Sequence, residues 1–272
     1  MSRTPNREPN MPHLTHHIDN QVAALVLNHP PQNRIDEPMV AELADSLDAI
    51  ERSGARAVVL RAEGDNFSFG GDIRTWPDTP VHELRATFTR FLDVFNRLEQ
   101  LPMPVIAAVH GLCLGGGFEL ALRADVILAG ESAQFGHPEQ SIAITTIMGG
   151  IYRVAERAGR ARAIEWALTS ERVPARVMAD AGVVNRVVAD EHLLSEALGF
   201  AEKLAHGPTR AHAAHKALLR AWAVGGVAAA DQLMFDVSMP LFDTHDAQLA
   251  LRGAVDALAT GQARPTFDFQ GR

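Results

Sequence analysis

Residues Gly111–Leu122 read GLCLGGGFELAL, three consecutive glycines running into an apolar stretch that holds one glutamate, Glu119. Glycine forms helix poorly and packs no side chain, so a triplet marks a place where something approaches the backbone closely. Before it, PVIAAVH (Pro104–His110) is rich in small and β-branched apolar residues, as a buried strand is. After it, FELALRAD favours helix. The triplet therefore sits at a strand-to-helix turn, where unpaired first-turn N–H groups can hold a phosphate or a developing oxyanion. A tight turn that only lets helix and strand pack closely is the other reading of the same residues.

Outward from this turn the chain alternates β-like and helical runs. VAALVLN (Val22–Asn28), a helix from about Asp36 to Glu51, RAVVLRA (Arg56–Ala62) and a helix through RFLDVFNRLEQL precede it. DVILAG (Asp125–Gly130) and VVNRVV (Val183–Val188) follow. This βαβ rhythm predicts an α/β layer. From Asp190 onward the pattern is helical, punctuated by Pro208 and the Gly225/Gly226 pair. The expected organisation is a disordered tail at 1–12, an α/β core at 13–189 and a helical region at 190–272.

Composition narrows the function classes. A chain of 272 residues can bury a sizeable core without disulfides or metals. The single cysteine, Cys113, excludes an internal disulfide framework and a Cys-based zinc site, and with no signal-like segment it suggests the cytoplasm. No window is long and apolar enough to span a bilayer, so no membrane partner is expected. A net charge of −8, with 25 basic and 33 acidic residues, argues against a nucleic-acid surface. No metal site is expected.

A second glycine turn lies upstream in NFSFGGDI (Asn66–Ile73). Two such turns can form one hole, in which two backbone N–H groups stabilise a carbonyl oxygen as it becomes negative. Two carboxylates stand where polar side chains are otherwise scarce: Glu119 in the helix after the triplet, and Glu139 in FGHPEQSIAI. A pair of carboxylates beside an activated carbonyl can orient a water and shuttle its proton. Against this, Glu119 could form an i,i+4 ion pair with Arg123 on a solvated face, and Glu139 could be an ordinary loop carboxylate.

Taken together, LNHPPQNRID, FSFGGDI, PVIAAVHGLCLGGGFELALRAD, AQFGHPE, AGVVNRVV, FDTHDA and the ending ARPTF resemble the crotonase, or enoyl-CoA hydratase/isomerase, family along nearly the whole chain. The resemblance implies a crotonase-like ββα spiral core with a C-terminal helical oligomerisation region, assembled as a homotrimer or homohexamer. It places the oxyanion hole on the N–H groups of Gly71 and Gly116 and the catalytic pair on Glu119 and Glu139. It implies hydration of an enoyl-CoA thioester, with no cofactor beyond the coenzyme A of the substrate; a Δ3,Δ2-enoyl-CoA isomerase or another crotonase-type reaction is the alternative. The loop from Phe69 through Gly70 and Asp72 to Arg74 is implied to hold the CoA, with Arg74 where a basic residue often meets the phosphates. Lys216 and Arg264–Phe267 match positions near the nucleotide or a neighbouring subunit. The segment AITTIMGG departs from the family pattern: Ala143 and Thr146 replace a glycine and a proline, and Phe69 replaces a common alanine. These changes point to an acyl group other than a short straight chain. A non-catalytic acyl-CoA binder would have no need of the acid/base pair. A P-loop or Rossmann enzyme is excluded because GGGFE lacks the motifs of both.

Overall fold

The computed structural model describes residues 11–272. The expected tail at 1–12 lies, as far as residue 10, outside the described residues. The chain opens with a hairpin of β1 (Leu14–Asp19) and β2 (Val22–Leu27), then α1 (Glu37–Glu51), which starts at Asp36, whose side chain caps Met39 N. Next come β3 (Ala57–Ala62), α2 (Val81–Gln100), β4 (Val105–Val109), the short β5 (Leu112–Leu114) and α3 (Gly116–Ala121). They are followed by β6 (Val126–Gly130), β7 (Gln134–Gly136), α4 (Gly150–Ala158), α5 (Arg160–Thr169), β8 (Val173–Pro174), α6 (Ala175–Asp180) and β9 (Arg186–Val188). Three helices complete the chain: α7 (Leu193–Ala205), α8 (Thr209–Ser238) and α9 (His245–Thr260).

The main sheet has the order β1-β2-β3-β4-β6-β9, and every pairing except β1 with β2 is parallel. Its central strands are covered on both faces, which is why they read as unbroken apolar runs instead of alternating ones. One face carries α7, whose Ala197, Ala201 and Ala205 repeat every fourth residue and let the helix lie close to Val59, Ile106 and Leu128. The other face packs with α1, α2 and α3 through Leu25, Leu43, Leu60, Phe95 and Phe118. A small second sheet, β5-β7-β8, stands beside the first.

This is the mixed α/β class with a C-terminal helical region that the sequence predicts. Local differences have physical causes. Only Arg186–Val188 of the predicted Val183–Val188 strand pairs, while Val183 and Val184 are buried in the turn that leads to it. The helix after the glycines stops at Ala121, because Arg123 N and Ala124 N bond back to Leu120 and Ala121 in a tightened turn. That turn delivers Asp125 to accept from Val105 N at 2.8 Å. The glycine pair breaks α8: Gly225 has φ −138° and Gly226 φ +67°. The sequence pattern assigns no element to Gly150–Asp180, where α4, α5 and α6 lie.

Candidate active site

Because β3 and β4 are parallel neighbours, the loops that leave their C-terminal ends lie side by side, the usual place for ligands in an open parallel sheet. The first loop carries Gly70 and Gly71, and the second carries the glycine triplet. Ser68 stitches them together: its N–H donates to Leu112 O at 3.0 Å and its carbonyl accepts from Leu114 N at 2.9 Å. Its buried hydroxyl donates to Asn33 O at 2.6 Å.

Each glycine has its own reason. A Cβ on Gly70, which sits at φ +91°, would lie 2.9 Å from Leu114 O and 3.0 Å from Gly116 N. On Gly115, at φ +50°, it would lie 3.1 Å from Glu139 Oε1, and on Gly117 it would overlap the Ser68 side chain at 2.5 Å. A Cβ on Gly116 would stand 3.4 Å from Gly71 N. The two turns therefore face each other at van der Waals distance. Among the described residues, neither Gly71 N–H nor Gly116 N–H has a protein acceptor.

Glu119 follows in the first turn of α3 and is 3% exposed. Its Oε1 accepts from Met148 N and Gly150 N, both at 2.8 Å. Burial lifts its carboxyl to about 7, against the pull of the Gly150 and Met148 N–H groups and with a further push from the Glu139 charge. Arg123 is not its partner. The guanidinium is fully buried and donates to Asn96 Oδ1, Glu99 Oε2 and, at 2.5 Å, Met148 O. The solvated i,i+4 pair between Glu119 and Arg123 is thus replaced by a buried network in which Glu99 also binds Arg153.

Glu139 enters from a different element, a 3-10 turn at Pro138–Ile142. Burial raises its carboxyl above the usual range. Its Oε2 has no partner among the described residues.

Glu119, Glu139, Gly71, Gly116 and Phe69 line one cavity of about 230 Å³. Beyond it, along α2 and the 3-10 turn Ile73–Asp78, runs an open apolar groove of about 810 Å³. Phe88, Phe91 and Phe95, spaced three and four apart on one face of α2, wall the cavity with Trp76. The Trp76 indole stands over Gly71 and meets Phe88 edge-to-face at 5.0 Å. The sequence reading did not single out this aromatic wall, although the phenylalanine spacing would have shown it. It also did not single out the Met148 and Gly150 N–H groups, which no side-chain signal marks.

The remaining predicted contacts are placed as follows. Gly70 shapes the turn without facing the cavity. Asp72 caps the Ile73–Asp78 turn and binds Arg74 Nε at 2.8 Å; Arg74 itself is largely exposed, and neither residue lines the cavity. Lys216 does not line the cavity: it donates to Asp125 Oδ2 at 2.6 Å and Met103 O at 3.0 Å.

Only one group of side chains among the described residues has metal-ligand composition: His13, His29 and Asp36. The two imidazoles are stacked at 3.6 Å with planes 8° apart. A metal must lie near each ring plane about 2.0–2.1 Å from its nitrogen, and two parallel planes this far apart cannot share one. His13 instead binds the Asp36 carboxylate at 2.9 Å.

The comparisons with known proteins agree with this architecture. Residues 17–253 match the family model described as enoyl-CoA hydratase/isomerase. The mitochondrial enoyl-CoA hydratase of Pongo abelii is 35% identical over 189 residues, which are 69% of this chain and 64% of that protein's length. The 1,2-epoxyphenylacetyl-CoA isomerase of Escherichia coli (strain K12) is 34% identical over 205 residues, 73% of this chain and 78% of that protein. A crystal structure of enoyl-CoA hydratase from Mycobacterium smegmatis superposes with a TM-score of 0.85 at 28% identity, covering 93% of this chain and 98% of that one. The chain belongs to the enoyl-CoA hydratase/isomerase family and has the crotonase fold. Among the described residues no helix is long and apolar enough to cross a membrane.

Proposed function

We propose that this protein is an enoyl-CoA hydratase, adding water across the 2,3 double bond of an enoyl-CoA thioester. The observation that carries the reading is the meeting of two acceptor-less N–H groups and two carboxylates on one apolar-walled cavity. The thioester oxygen accepts from Gly71 N–H and Gly116 N–H, so negative charge that builds on it during attack is stabilised. Glu119, held by two backbone donors, orients a water and takes its proton as oxygen bonds to C3. Glu139 delivers a proton to C2. Burial raises the pKa of both carboxyls, that of Glu119 to about 7, which suits it to proton transfer near neutral pH. Phe69 and the Asp72–Arg74 pair border the thioester's approach, with Arg74 free at its outer end to meet phosphate. Lys216 is proposed to reach the nucleotide only after releasing Asp125. No cofactor beyond the coenzyme A of the substrate enters the scheme.

A second reading, double-bond isomerisation, needs only one base, and the relatives include an isomerase, although one that acts on 1,2-epoxyphenylacetyl-CoA. The two are separated by incubating Glu119→Gln and Glu139→Gln with trans-2-enoyl-CoA and with 3-enoyl-CoA and resolving products by mass. A hydratase adds the mass of water and loses that activity in both variants. An isomerase adds none and keeps double-bond migration in one of them.

The assembly is proposed to be a homotrimer or homohexamer. The helical region exposes Leu219, Trp222, Val224, Val227 and Phe235, a face that a second subunit would cover. A stable monomer by light scattering at micromolar concentration would overturn this.

A further inference from the structure

His137 takes no part in the scheme above, yet it is 2% exposed and both its ring nitrogens lack a hydrogen-bond partner among the described residues. Buried polar atoms are nearly always satisfied, so two orphaned nitrogens need an explanation. Glu139 Oε2, equally orphaned, stands 3.8 Å from His137 Nδ1, too far for a direct bond and within reach of one shared water. Both residues line a second cavity of about 150 Å³, on which Thr145 and Thr146 also lie, several times the roughly 30 Å³ share of one water. That cavity leads from buried His137 past Glu139 to exposed Thr145 and Leu168. Glu139 therefore borders two spaces: the substrate cavity, and one of mixed lining, polar at His137, Glu139, Gln140 and the two threonines, that reaches the surface on α5.

We propose that the cavity behind Glu139 is an internal water site, organised by His137, through which the Glu139 carboxyl exchanges its proton with solvent without passing the acyl chain. The proposal rests on the reading of Glu139 as the group that serves C2. Each hydration leaves Glu139 ionised and Glu119 protonated, so the pair must be reset. In the back cavity a water gives its proton to Glu139 Oε2 and is itself reprotonated through neighbouring waters from bulk solvent, while Glu119 gives the proton taken from the attacking water to water that enters the substrate cavity as product leaves, and so to bulk solvent. No net charge or atom is left over. His137 is a positioning residue: burial holds its imidazole neutral, down to about 4, so it offers one N–H donor and one acceptor to the water chain throughout the working range. Its ring is fixed by stacking on Phe118 at 4.9 Å and by contact with Gly150.

The test is exchange of the C2 hydrogens of a saturated acyl-CoA into D2O, followed by mass spectrometry, the chain being that of the trans-2-enoyl-CoA which wild type hydrates fastest in a panel of short, long and branched chains. Deuterium reaches C2 only if the proton that Glu139 removes is traded for one from solvent. Wild type should exchange. His137→Phe, which keeps the stack but removes both nitrogens, should slow exchange at least tenfold while the Kd of the same acyl-CoA stays within twofold. His137→Gln should recover much of the rate. Leu168→Trp, at the exposed mouth and remote from the carboxylates, should slow exchange likewise, and it serves where His137→Phe does not fold. Wild-type exchange rates in a folded His137→Phe or Leu168→Trp variant would overturn the proposal, as would a wild type that hydrates but never exchanges. Loss of the underlying reading is distinguishable: exchange would then persist in Glu139→Gln.

Discussion

The two carboxylates that share the cavity are held in opposite ways. Glu119 grows from a helix buried in the core, and two backbone N–H groups fix one of its oxygens. Glu139 sits on a 3-10 turn whose neighbours Ser141, Ile142 and Ala143 are exposed, and one of its oxygens is unpartnered. A group that must orient a water gains from immobility, whereas a group that trades protons gains from an open side. The same desolvation that raises both carboxyls is offset by donors in the first case and left unopposed by neighbouring residues in the second.

The largest test of this contrast is removal of each charge. Glu119→Gln and Glu139→Gln should each lower hydration kcat by about 10²–10⁴ with acyl-CoA affinity within a few fold. Retained hydration in Glu119→Gln would end the two-carboxylate account. Next is the hole that both serve. Gly116→Ala places a methyl 3.4 Å from Gly71 N, a contact that the fold accepts but that crowds the space an oxygen would occupy. Turnover should fall about 10²-fold, as on loss of one donor, with an unchanged circular dichroism spectrum. Gly70→Ala, at φ +91° and clashing with backbone, should instead cost folding.

Acidity sharpens the comparison further. With its carboxyl near 7, Glu119 gains its charge around neutrality, so kcat/KM should rise as pH passes through about 7 and fall again as Glu139 loses the proton it delivers to C2. Stability runs the other way. The folded chain keeps the Glu119 proton from the ordinary 4.5 up to about 7 while the unfolded chain has lost it, so stability falls as pH rises through that window. Glu119→Gln should therefore melt higher than wild type at pH 8, by on the order of 3 kcal/mol, and show little difference at pH 4.5. His137 has the opposite sign. Its folded value of about 4 lies below the ordinary 6.5, so the unfolded chain takes the proton first and stability falls as pH falls through that range. Thermal melts of His137→Gln should therefore show a flatter acid limb than wild type.

Sequence made one side of this contrast much more legible than the other. The parallel core was readable because strands buried on both faces become continuous apolar runs, and the glycine triplet was readable because close backbone approach removes side chains. Both carboxylates stood out as isolated charges in apolar context. What stayed hidden depends on chain distant in sequence. The donors to Glu119 are main-chain atoms of Met148 and Gly150, about thirty positions away, and they carry no side-chain signature. The helices between Gly150 and Asp180 are short: α4 carries a strong apolar period that the sequence does display, whereas that of α5 is weak and α6 spans only six residues. The aromatic wall of α2 reads as an ordinary amphipathic face until the loops show what it encloses.

Met148 is held on both sides of its Cα: Arg123 donates to its carbonyl oxygen at 2.5 Å, and its N–H donates to Glu119 at 2.8 Å. The two atoms belong to successive peptide groups on either side of the Met148 Cα, so the pair of bonds fixes the turn of chain at this residue and holds its N–H on the carboxylate, a charge-assisted bond stronger than one between neutral groups. The Met148 amide proton should then resonate far downfield in an NMR spectrum, move as Glu119 titrates, and be among the last in the chain to exchange with solvent. A single backbone resonance thereby reports the ionisation of a carboxyl that has no signal of its own.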